Sequence, residues 1–509
     1  MSDQIFMYVA LGVYFAGMLL IGYIAFKRTD DHEDYMLGGR NLPPWVAAIS
    51  AGAADMSGWL VMGLPGAIYA AGLIEAWIAI GLTIGAYLNW RLVAPRLRAY
   101  TEVSRNSITI PSYFENRLRD KSRSLRVVSG LIILIFFTLY ISSGMVAAGV
   151  FFESSFNGDY MFGMLLVGGI TLLYTLFGGF LGASLTDVVQ GLMMVIALIV
   201  VPVAAVIAIG GLDETSTLIA ATAGAGHLSL LGGTAVTGGT ILAIVSALAW
   251  GLGYFGQPHI IVRFMALRNP QEAKSARRIG ISWMVLSMFG AVVSGLVGIA
   301  YMAQRGITLD NPETVVLLMS QTLLHPFVAG LVLAAVLAAI MSTVSSQLVV
   351  CSSALVEDLY KVVRKTPPSQ KRLVLMGRLA VLVVAIVAII LAISPNDSIL
   401  GLVSFAWAGF GAAFGPIILL SLFWRKLTNW GALAGMFVGA ATVFIWKALN
   451  TGLYELLPAF VLAFVAAYVV SLLTYKHNAE IQQEFTDTRE FTDTGVMALP
   501  RPHAVGDTP

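Results

Sequence analysis

The stretch SAGAADMSGW, residues 50–59, places one carboxylate, two hydroxyls and two glycines inside an apolar run. An acid at the centre of a bilayer costs roughly 2.5–3.5 kcal/mol, so Asp55 must face protein and be hydrogen-bonded or paired. Glycines weaken the helix around it, and an interrupted membrane helix frees backbone carbonyl and amide groups. Freed carbonyls suit a hard cation such as Na⁺, and freed N–H groups suit a carboxylate ligand. The alternative is that Asp55 pins a neighbouring helix and the glycines permit close packing.

A second unusual stretch, SALAWGLGYFGQPHIIVRF at residues 246–264, contains three glycines and then a proline. Trp250, Tyr254 and Pro258 recur every four residues, so they would share one face of an α-helix. That face could line a solute site, or it could be an aromatic stripe packed on lipid or on another helix. The stretch is a second candidate for an interrupted membrane helix.

The third stretch is LAAIMSTVSSQ, residues 337–347, in which hydroxyl residues are concentrated. Ala339, Ser342, Thr343 and Ser346 share a helix face by their spacing of three and four residues. Their oxygens could complete a cation site with carbonyls of the first stretch, because hard cations prefer oxygen ligands. Hydroxyls in membrane helices also bond back to the i−4 carbonyl or allow close helix packing, and that reading stays open.

The elements that hold these stretches are transmembrane helices. Of the 509 residues, 58% are hydrophobic and 11% are charged, against about 25% charged in soluble proteins. The sequence therefore predicts an all-α polytopic membrane protein. The N-terminus has no basic segment or cleavage site of a signal peptide, so the first apolar run is predicted to be a retained helix. Cys351 is the only cysteine, which excludes an intrachain disulfide.

Apolar runs of roughly 20 residues predict about thirteen spans. Their approximate limits are 5–26, 43–64, 72–93, 128–151, 161–182, 187–210, 238–260, 279–303, 321–350, 373–394, 399–423, 430–448 and 453–474. Of the 30 basic residues, only Arg305 and Lys447 fall outside the loops and span ends on one side. Because basic residues stay cytoplasmic, the N-terminus is predicted outside and the C-terminus inside. Residues 1–475 form the transmembrane domain, and the polar tail 476–509 is predicted to be cytoplasmic and disordered.

The two interrupted stretches lie in spans two and seven, five spans apart. This spacing is the sequence sign of an inverted-repeat transporter. Spans two to six and seven to eleven, about residues 43–423, would then be the two repeats. Spans one, twelve and thirteen would be additions to that core.

Several motifs in order resemble the solute:sodium symporter family over roughly residues 5–475, and most of all its proline-transporting bacterial members. The motifs are YMLGGRNL (35–42), ADMSGWLVMGLPGA (54–67), FTLYISSG (137–144), GGFLGASLTDVVQ (178–190), WGLGYFGQPHIIVRFMA (250–266), LAAIMSTVSSQLVVCSSALVEDLY (337–360) and GLVSFAWAGFGAAFGP (401–416). The resemblance implies a leucine-transporter-like 5+5 inverted repeat with extra N- and C-terminal helices.

The resemblance also implies roles for individual residues. The residues expected to form or support the sodium site are Ala53, Asp55, Met56, Ala339, Ser342 and Thr343, with the carbonyls of Ala53, Met56 and Ala339 and the two hydroxyls as ligands. The residues expected to bind the solute are Ser57, Gly58, Trp59, Tyr140, Trp250, Tyr254 and Pro258. Arg40 at the cytoplasmic mouth and Asp187 near the cytoplasmic start of span six are expected to serve coupling or gating.

The activity implied is sodium-dependent uptake of L-proline across the bacterial cytoplasmic membrane by alternating access. One Na⁺ per proline is expected, since about 100 mV and a tenfold gradient supply roughly 3.7 kcal/mol. Na⁺ is the coupling ion and no other cofactor is expected. The expected partners are L-proline, Na⁺ and the lipid bilayer, with no nucleic acid and no obligate protein partner.

Four other functions remain open at this stage. Another amino acid, pantothenate or a sugar could replace proline in the same mechanism. A membrane enzyme would need a cluster of titratable or metal-binding groups, and the six histidines are scattered. A transporter-like sensor would need a signalling domain, for which the tail of about 35 residues is too short. Uphill uptake would exclude a passive channel.

Overall fold

The computed structural model describes residues 2–27, 36–233, 235–363, 369–394 and 397–497, and over these ranges the chain is helical apart from turns and one isolated bridge between Leu42 and Leu267. The all-α prediction is therefore confirmed. The α-helices of eight or more residues are α1 (Ser2–Phe26), α2 (Pro44–Asp55), α3 (Leu64–Ala71), α4 (Ala76–Leu88), α5 (Ala94–Val103), α6 (Ile110–Leu118), α7 (Ser124–Phe156), α8 (Tyr160–Ile209), α9 (Leu212–Ala223), α10 (Gly238–Ala249), α11 (Pro258–Met265), α12 (Ala273–Arg305), α13 (Val315–Leu323), α14 (Pro326–Ser353), α15 (Gln370–Ala392), α16 (Ile399–Phe423), α17 (Asn429–Leu449), α18 (Leu456–Thr474) and α19 (Ala479–Thr494).

The number of spans depends on how two bent elements are counted. By length and composition, eleven helices in the described ranges could each cross a membrane, and the bent pair α2 and α3 makes a twelfth span. Helix α8 has 50 residues and is divided by non-helical backbone angles at Gly179. A helix of that length measures about 75 Å, more than twice the roughly 30 Å of a bilayer core. Its two parts correspond to the predicted spans 161–182 and 187–210. Counting them as two spans brings the total over the described ranges to thirteen.

The first interrupted helix breaks where the sequence predicts it. Helix α2 ends at Asp55, Met56 has φ −86° and ψ 79°, and a π-helical turn over Trp59–Gly63 leads into α3. The helix segments on either side of the break are bent by 63°. Pro65 stands in the first turn of α3, where its missing N–H does no harm.

The second interruption corrects one prediction. Helix α10 ends at Ala249, a 3₁₀ helix runs over Trp250–Gly256, and Gln257 is extended before Pro258 opens α11. Trp250, Tyr254 and Pro258 therefore do not share one face of a continuous α-helix, as predicted from their spacing. The physical reason is the glycine content, because Gly251 packs directly on α4. A Cβ added at Gly85 would lie 2.2 Å from the Gly251 carbonyl oxygen, so only glycine fits this contact.

Helix α14 occupies the centre of the bundle and is the most buried of the candidate spans in the described ranges. It packs against α1, α2, α7 and α8. This helix carries the predicted hydroxyl cluster, and it also carries Cys351, whose side chain is completely buried. The two interrupted helices and α14 together position the candidate site.

The predicted disorder of the tail 476–509 is wrong for residues 479–494, which form α19. Arg119 at the end of α6 makes ion pairs with Glu480 at 3.2 Å and Glu484 at 2.6 Å. The Phe485 ring packs edge-on to Tyr100 at 6.2 Å between centroids. A helix face that contacts charged and aromatic groups is ordered despite its polar composition. Residues 498–509 of the tail lie outside the described residues.

Candidate ion- and solute-binding site

Oxygens from α2 and α14 meet at the interruption of α2. The Ser342 hydroxyl donates to the Ala53 carbonyl at 2.7 Å and also lies 3.1 Å from the Ala339 carbonyl oxygen. The Thr343 hydroxyl lies 3.4 Å from the same Ala339 oxygen. All four residues are buried. The structure therefore gathers four of the five predicted sodium ligands, all of them neutral oxygens of the kind that hard cations prefer.

The end of α2 explains why the Ala53 carbonyl is available. In a continuous helix it would accept from the N–H of Ser57, but that N–H bonds to the Asp55 carbonyl at 3.0 Å. Met56, the fifth predicted ligand, lies in the unwound residues, and its own N–H caps the helix on the Gly52 carbonyl at 2.9 Å. The local break thus converts a helix carbonyl into a potential ligand.

The Asp55 carboxylate points towards the second interrupted helix. Its Oδ2 accepts a hydrogen bond from the Tyr254 hydroxyl, while the Trp59 indole N–H donates to the Asp55 backbone carbonyl at 3.2 Å. Oδ1 is buried and has no hydrogen-bond partner among the described residues. Asp55 therefore joins the two interrupted helices and brings a carboxylate to the site. The Ser342 hydroxyl bonds to backbone carbonyls and not to this carboxylate.

Aromatic rings from four parts of the chain form a cluster beside this contact. Trp250 lies 6.2 Å from Trp59, 6.4 Å from Trp407 and 5.3 Å from Tyr454, measured between ring centroids. Tyr254 meets Trp407 edge-on at 5.1 Å. Three of the predicted solute residues, Trp59, Trp250 and Tyr254, thus lie together in the structure, and Trp407 and Tyr454 lie beside them. In the sequence, Trp407 is distinguished only as a large aromatic residue among the small residues of α16. Nothing in the sequence around Tyr454 indicates that it joins the cluster.

Three of the other four predicted solute residues lie in the same region. The Tyr140 hydroxyl of α7 lies 3.5 Å from the Asp55 carbonyl oxygen. Gly58 faces α7 closely, since an added Cβ would lie 3.0 Å from the Ala147 Cβ. The Ser57 hydroxyl accepts a hydrogen bond from the backbone N–H of Trp59 at 3.4 Å. Pro258 instead opens α11 and lines a separate, inner cavity together with Thr109, Val350 and Asp358, and no ring of the aromatic cluster lines that cavity.

Asp187 forms a buried ion pair that the sequence did not predict. The Arg263 guanidinium lies 3.0 Å from Asp187 Oδ2, and both side chains are at most 1% exposed. Ser50 donates to the same carboxylate oxygen at 2.7 Å, and Arg263 donates to the Ser346 hydroxyl at 2.6 Å. Ser346 therefore belongs to this network and not to the oxygens around Ala53. The predicted limit of span seven at residue 260 leaves Arg263 outside the span, whereas α11 continues to Met265 and buries Arg263.

Arg40 connects three segments that lie next to each other in space. Its guanidinium donates to the Asn106 side chain at 2.9 Å, the Ser107 carbonyl at 2.6 Å and the Met265 carbonyl at 2.9 Å. The neighbouring Leu42 N–H donates to the Ala266 carbonyl at 3.0 Å. The chain just before α2 is thus fixed to the chain just after α11, the two ends where the interrupted helices leave the bundle.

Two interrupted helices, the first of them beside buried oxygens, in a bundle with eleven or twelve candidate spans over the described ranges, are typical of a secondary transporter. The sodium:solute symporter family model matches residues 35–439, and the chain belongs to that family. The predicted family is thereby confirmed, and the protein is a multi-pass membrane transporter.

Relatives with known names cover nearly the whole chain. The high-affinity proline transporter PutP of Bacillus subtilis (strain 168) is 55% identical over 475 residues, covering 93% of this chain and 99% of the relative. The osmoregulated proline transporter OpuE of the same strain is 53% identical over 470 residues, covering 92% and 94%. A Na⁺-coupled sialic acid symporter, solved in a substrate-bound outward-open state, superimposes with a TM-score of 0.78 at 21% identity, covering 93% and 99%. The fold is accordingly the leucine-transporter arrangement, as predicted.

Proposed function

We propose that this protein couples the inward movement of Na⁺ to uptake of L-proline by alternating access, with one Na⁺ per proline. The single observation that carries the proposal is the oxygen cluster of Ala53, Ala339, Ser342 and Thr343 at the break in α2. Family membership supports sodium coupling. Relatives named as proline transporters at 53–55% identity support the solute.

In this proposal the Ala53, Met56 and Ala339 carbonyls and the two hydroxyls bind one Na⁺. The hydroxyls now donate to carbonyls, and each would turn a lone pair to the ion when it binds. Asp55 supports the site through its carboxylate, whose Oδ2 accepts a hydrogen bond from the Tyr254 hydroxyl. The ion also holds α2 against α14, which favours the conformation that receives the solute.

The solute site is the space around Ser57, Gly58, Trp59, Tyr140, Trp250, Tyr254 and Pro258, with Trp407 added from the structure. Proline is a zwitterion with a compact apolar ring. The interrupted backbone supplies polar groups for its charged ends, and the rings of Trp59, Trp250 and Trp407 exclude water from its apolar part. Burial of Trp59 and Trp407 to 1% exposure supports a site that closes around a small solute.

Two contacts serve the cytoplasmic gate in this proposal. Arg40 ties the chain before α2 to the chain after α11, and the Asp187–Arg263 pair ties α8 to α11. Opening to the cytoplasm would separate these elements. We place the protein in the bacterial cytoplasmic membrane with the N-terminus outside and α19 in the cytoplasm, on the distribution of lysine and arginine. The proposed role is transport without enzymatic chemistry, and it requires no cofactor besides Na⁺, no nucleic acid and no obligate protein partner.

The test is uptake of labelled L-proline into proteoliposomes with an inward Na⁺ gradient, compared with choline in its place. Accumulation above equilibrium only with Na⁺ is expected, and Asp55→Cys and Thr343→Ala should each reduce it. Ser352→Ala is the matched control, because its hydroxyl bonds to the Gly377 carbonyl at 3.0 Å, away from the site. Parallel measurement of ²²Na⁺ entry gives the coupling ratio. Folded, reconstituted protein without Na⁺-dependent uptake would show that proline is not the solute, and equilibration without accumulation would indicate a channel.

A further inference from the structure

The inner cavity that Pro258 lines is too small for an amino acid but large enough for one water-sized particle. Its free volume is about 20 Å³, above the roughly 10–15 Å³ that a single water needs. The lining is mostly apolar, and among the described residues its polar side chains are those of Thr109, Ser353 and Asp358. An occupant of this cavity is therefore a water molecule or a small ion beside these three residues.

Asp358 brings an unpartnered oxygen to the inner cavity. Its side chain is completely buried, and its Oδ1 accepts a hydrogen bond from the Thr109 hydroxyl at 2.9 Å. Its Oδ2 is also buried and has no hydrogen-bond partner among the described residues. Buried polar groups are nearly always hydrogen-bonded, and an ionised carboxylate can only accept. Oδ2 therefore requires a hydrogen-bond donor or a cation beside it.

The charges around Asp358 favour a cation. Nε of Arg126 lies 2.6 Å from Glu115 Oε2 and 3.7 Å from Asp358 Oδ1, so two acids share one guanidinium. The neighbouring Glu357 forms an ion pair with Lys361 one helical turn further on. When all five of these described side chains are ionised, three acids face two bases and leave one surplus negative charge. A small cation in the cavity would balance that charge, whereas a water molecule would not.

Helix α14 leads from the oxygen cluster to the inner cavity. Ser342 and Ser353 are eleven residues apart, about three full helical turns, so both lie on one side of the helix. A π-helical turn over Ala354–Tyr360 follows and places Asp358 in the cavity beside Ser353. Asp358 is roughly 20 Å along the helix axis from Ser342. In the proposed orientation this end of α14 faces the cytoplasm.

We propose that the inner cavity is a release site for Na⁺, where Asp358 and the hydroxyls of Thr109 and Ser353 receive the ion after it leaves the oxygen cluster. The proposal rests on the proposed function, because it takes the coupling ion as the ligand. A monovalent ion matches the single surplus charge, and Mg²⁺, which keeps several waters, exceeds the available volume. Na⁺ that enters this site from the cytoplasm slows further release, so uptake declines as internal Na⁺ rises.

The alternative role for Asp358 is purely structural, as an ion-pair partner of Arg126. Two substitutions separate the two roles. Asp358→Asn removes negative charge from the cavity, and Arg126→Gln removes positive charge beside it. A cation site predicts opposite shifts of Na⁺ affinity in the two variants. A structural pair predicts damage in the same direction from both, because each variant breaks the same contact.

The test measures the Na⁺ dependence on each side of the membrane. The Na⁺ concentration for half-maximal proline transport is determined from the cytoplasmic side in inside-out vesicles and from the extracellular side in right-side-out vesicles. We expect the cytoplasmic value to rise about fivefold or more in Asp358→Asn and to fall about threefold or more in Arg126→Gln. The extracellular value should stay within about twofold of the wild type in both, because the oxygen cluster is distant.

A milder variant keeps the test decisive if Asp358→Asn does not fold. Ser353→Ala removes one hydroxyl from the cavity and should raise the cytoplasmic value about twofold or more. Ser352→Ala is the matched control, because that hydroxyl bonds to the Gly377 carbonyl at 3.0 Å and Ser352 does not line the cavity. Both values should stay at the wild-type level in this control.

The two-sided design separates the possible failures. Shifts in the same direction for Asp358→Asn and Arg126→Gln would overturn the release site and leave Asp358 a structural role. Wild-type cytoplasmic values in Asp358→Asn and Ser353→Ala would also overturn it, and the cavity would then hold water only. In both cases sodium/proline symport would stand. Absence of Na⁺-driven proline uptake by the wild type would instead overturn the proposed function, and with it the release site.

Discussion

The Tyr254 hydroxyl donates a hydrogen bond to Asp55 Oδ2, and this contact joins the interrupted helices of the two repeats across 199 positions of sequence. Asp55 follows Ala53, whose carbonyl belongs to the oxygen cluster, while Tyr254 belongs to the aromatic cluster. The two clusters are therefore joined through Asp55. Together with the Trp59 indole N–H, which donates to the Asp55 backbone carbonyl at 3.2 Å, this contact links the proposed ion and solute sites.

Loss of that hydrogen bond should weaken sodium binding. Tyr254→Phe removes the donor, and a hydrogen bond to a charged group contributes about 1.5–3 kcal/mol. We expect the Na⁺ concentration for half-maximal proline uptake to rise about tenfold or more. Tyr301→Phe is the control, since its hydroxyl bonds to Thr322 at 3.1 Å far from Asp55. An unchanged Na⁺ dependence would show that Asp55 needs no donor.

The hydroxyls of α14 should contribute to ion affinity individually. Ser342→Ala and Thr343→Ala each delete one proposed oxygen ligand. Alanine has a higher helix propensity than serine or threonine, so the helix itself is not weakened. We expect each to raise the half-saturating Na⁺ concentration at least tenfold with less effect on Vmax at saturating Na⁺. Thr343→Ser should restore most of the affinity because it returns the oxygen. Failure of serine to rescue would point to packing by the threonine methyl group.

Removing one member of the Asp187–Arg263 pair should destabilise the protein more than removing both members. Removing one member of a buried ion pair costs about 3–5 kcal/mol, because the other charge is left uncompensated. We expect lower apparent melting temperatures for Asp187→Asn and Arg263→Gln, with partial recovery in the double variant. The half-exposed pair of Arg268 and Glu272, at 3.2 Å, should contribute about 0–1 kcal/mol and serves as control. Additive single effects would indicate that the two side chains act independently.

Trp407 should affect the solute and not the ion. Its indole N–H donates to the Trp250 carbonyl at 2.8 Å and so fixes the 3₁₀ segment. Trp407→Phe leaves that buried carbonyl unpaired, at a cost of about 1–3 kcal/mol. We expect the KM for proline to rise about fivefold or more while the Na⁺ dependence stays constant. Trp424→Phe, at the end of the same helix and stacked on Tyr468 at 4.7 Å, should have no such effect.

Docking of α19 should depend on Phe485. The ring lies under the Arg425 guanidinium at 5.0 Å and the Arg117 guanidinium at 5.8 Å, contacts worth about 0.5–1 kcal/mol each at exposed sites. Phe485→Ala should therefore speed hydrogen exchange across residues 479–494. Glu490→Ala, on the exposed face, should leave exchange unchanged. Protection that survives Phe485→Ala would show that the Arg119 ion pairs suffice.

The spans and their interruptions could be predicted because the responsible signals are local. Twenty apolar residues define a crossing wherever they occur, and the glycines before Pro258 weaken the helix in which they stand. The hydroxyl face of α14 follows from residue spacing alone. The same reasoning fails for the aromatic face of 250–258, because it assumed a continuous α-helix, whereas close backbone packing on Gly85 imposes a 3₁₀ segment.

Contacts between distant segments could not be predicted in this way. Nothing near Arg263 in sequence reveals that it turns towards Asp187, although an acid within a span indicates a partner of opposite charge. Trp407 and Tyr454 join the cluster through the rotation of α16 and the approach of α18. Helix α19 contacts Arg119, which lies more than 350 positions earlier in the sequence. Its one local sign was the spacing of Phe485, Thr488 and Phe491 on a single face.

The complete burial of Cys351 makes the natural protein suitable for spectroscopic labelling. Its thiol is the only one in the chain, and it stands beside Val350, which lines the inner cavity. A probe attached to a newly introduced surface cysteine would thus report from one position, with the native residue left in place. The rate at which Cys351 itself reacts with a small thiol reagent would measure how often the inner half of the bundle opens.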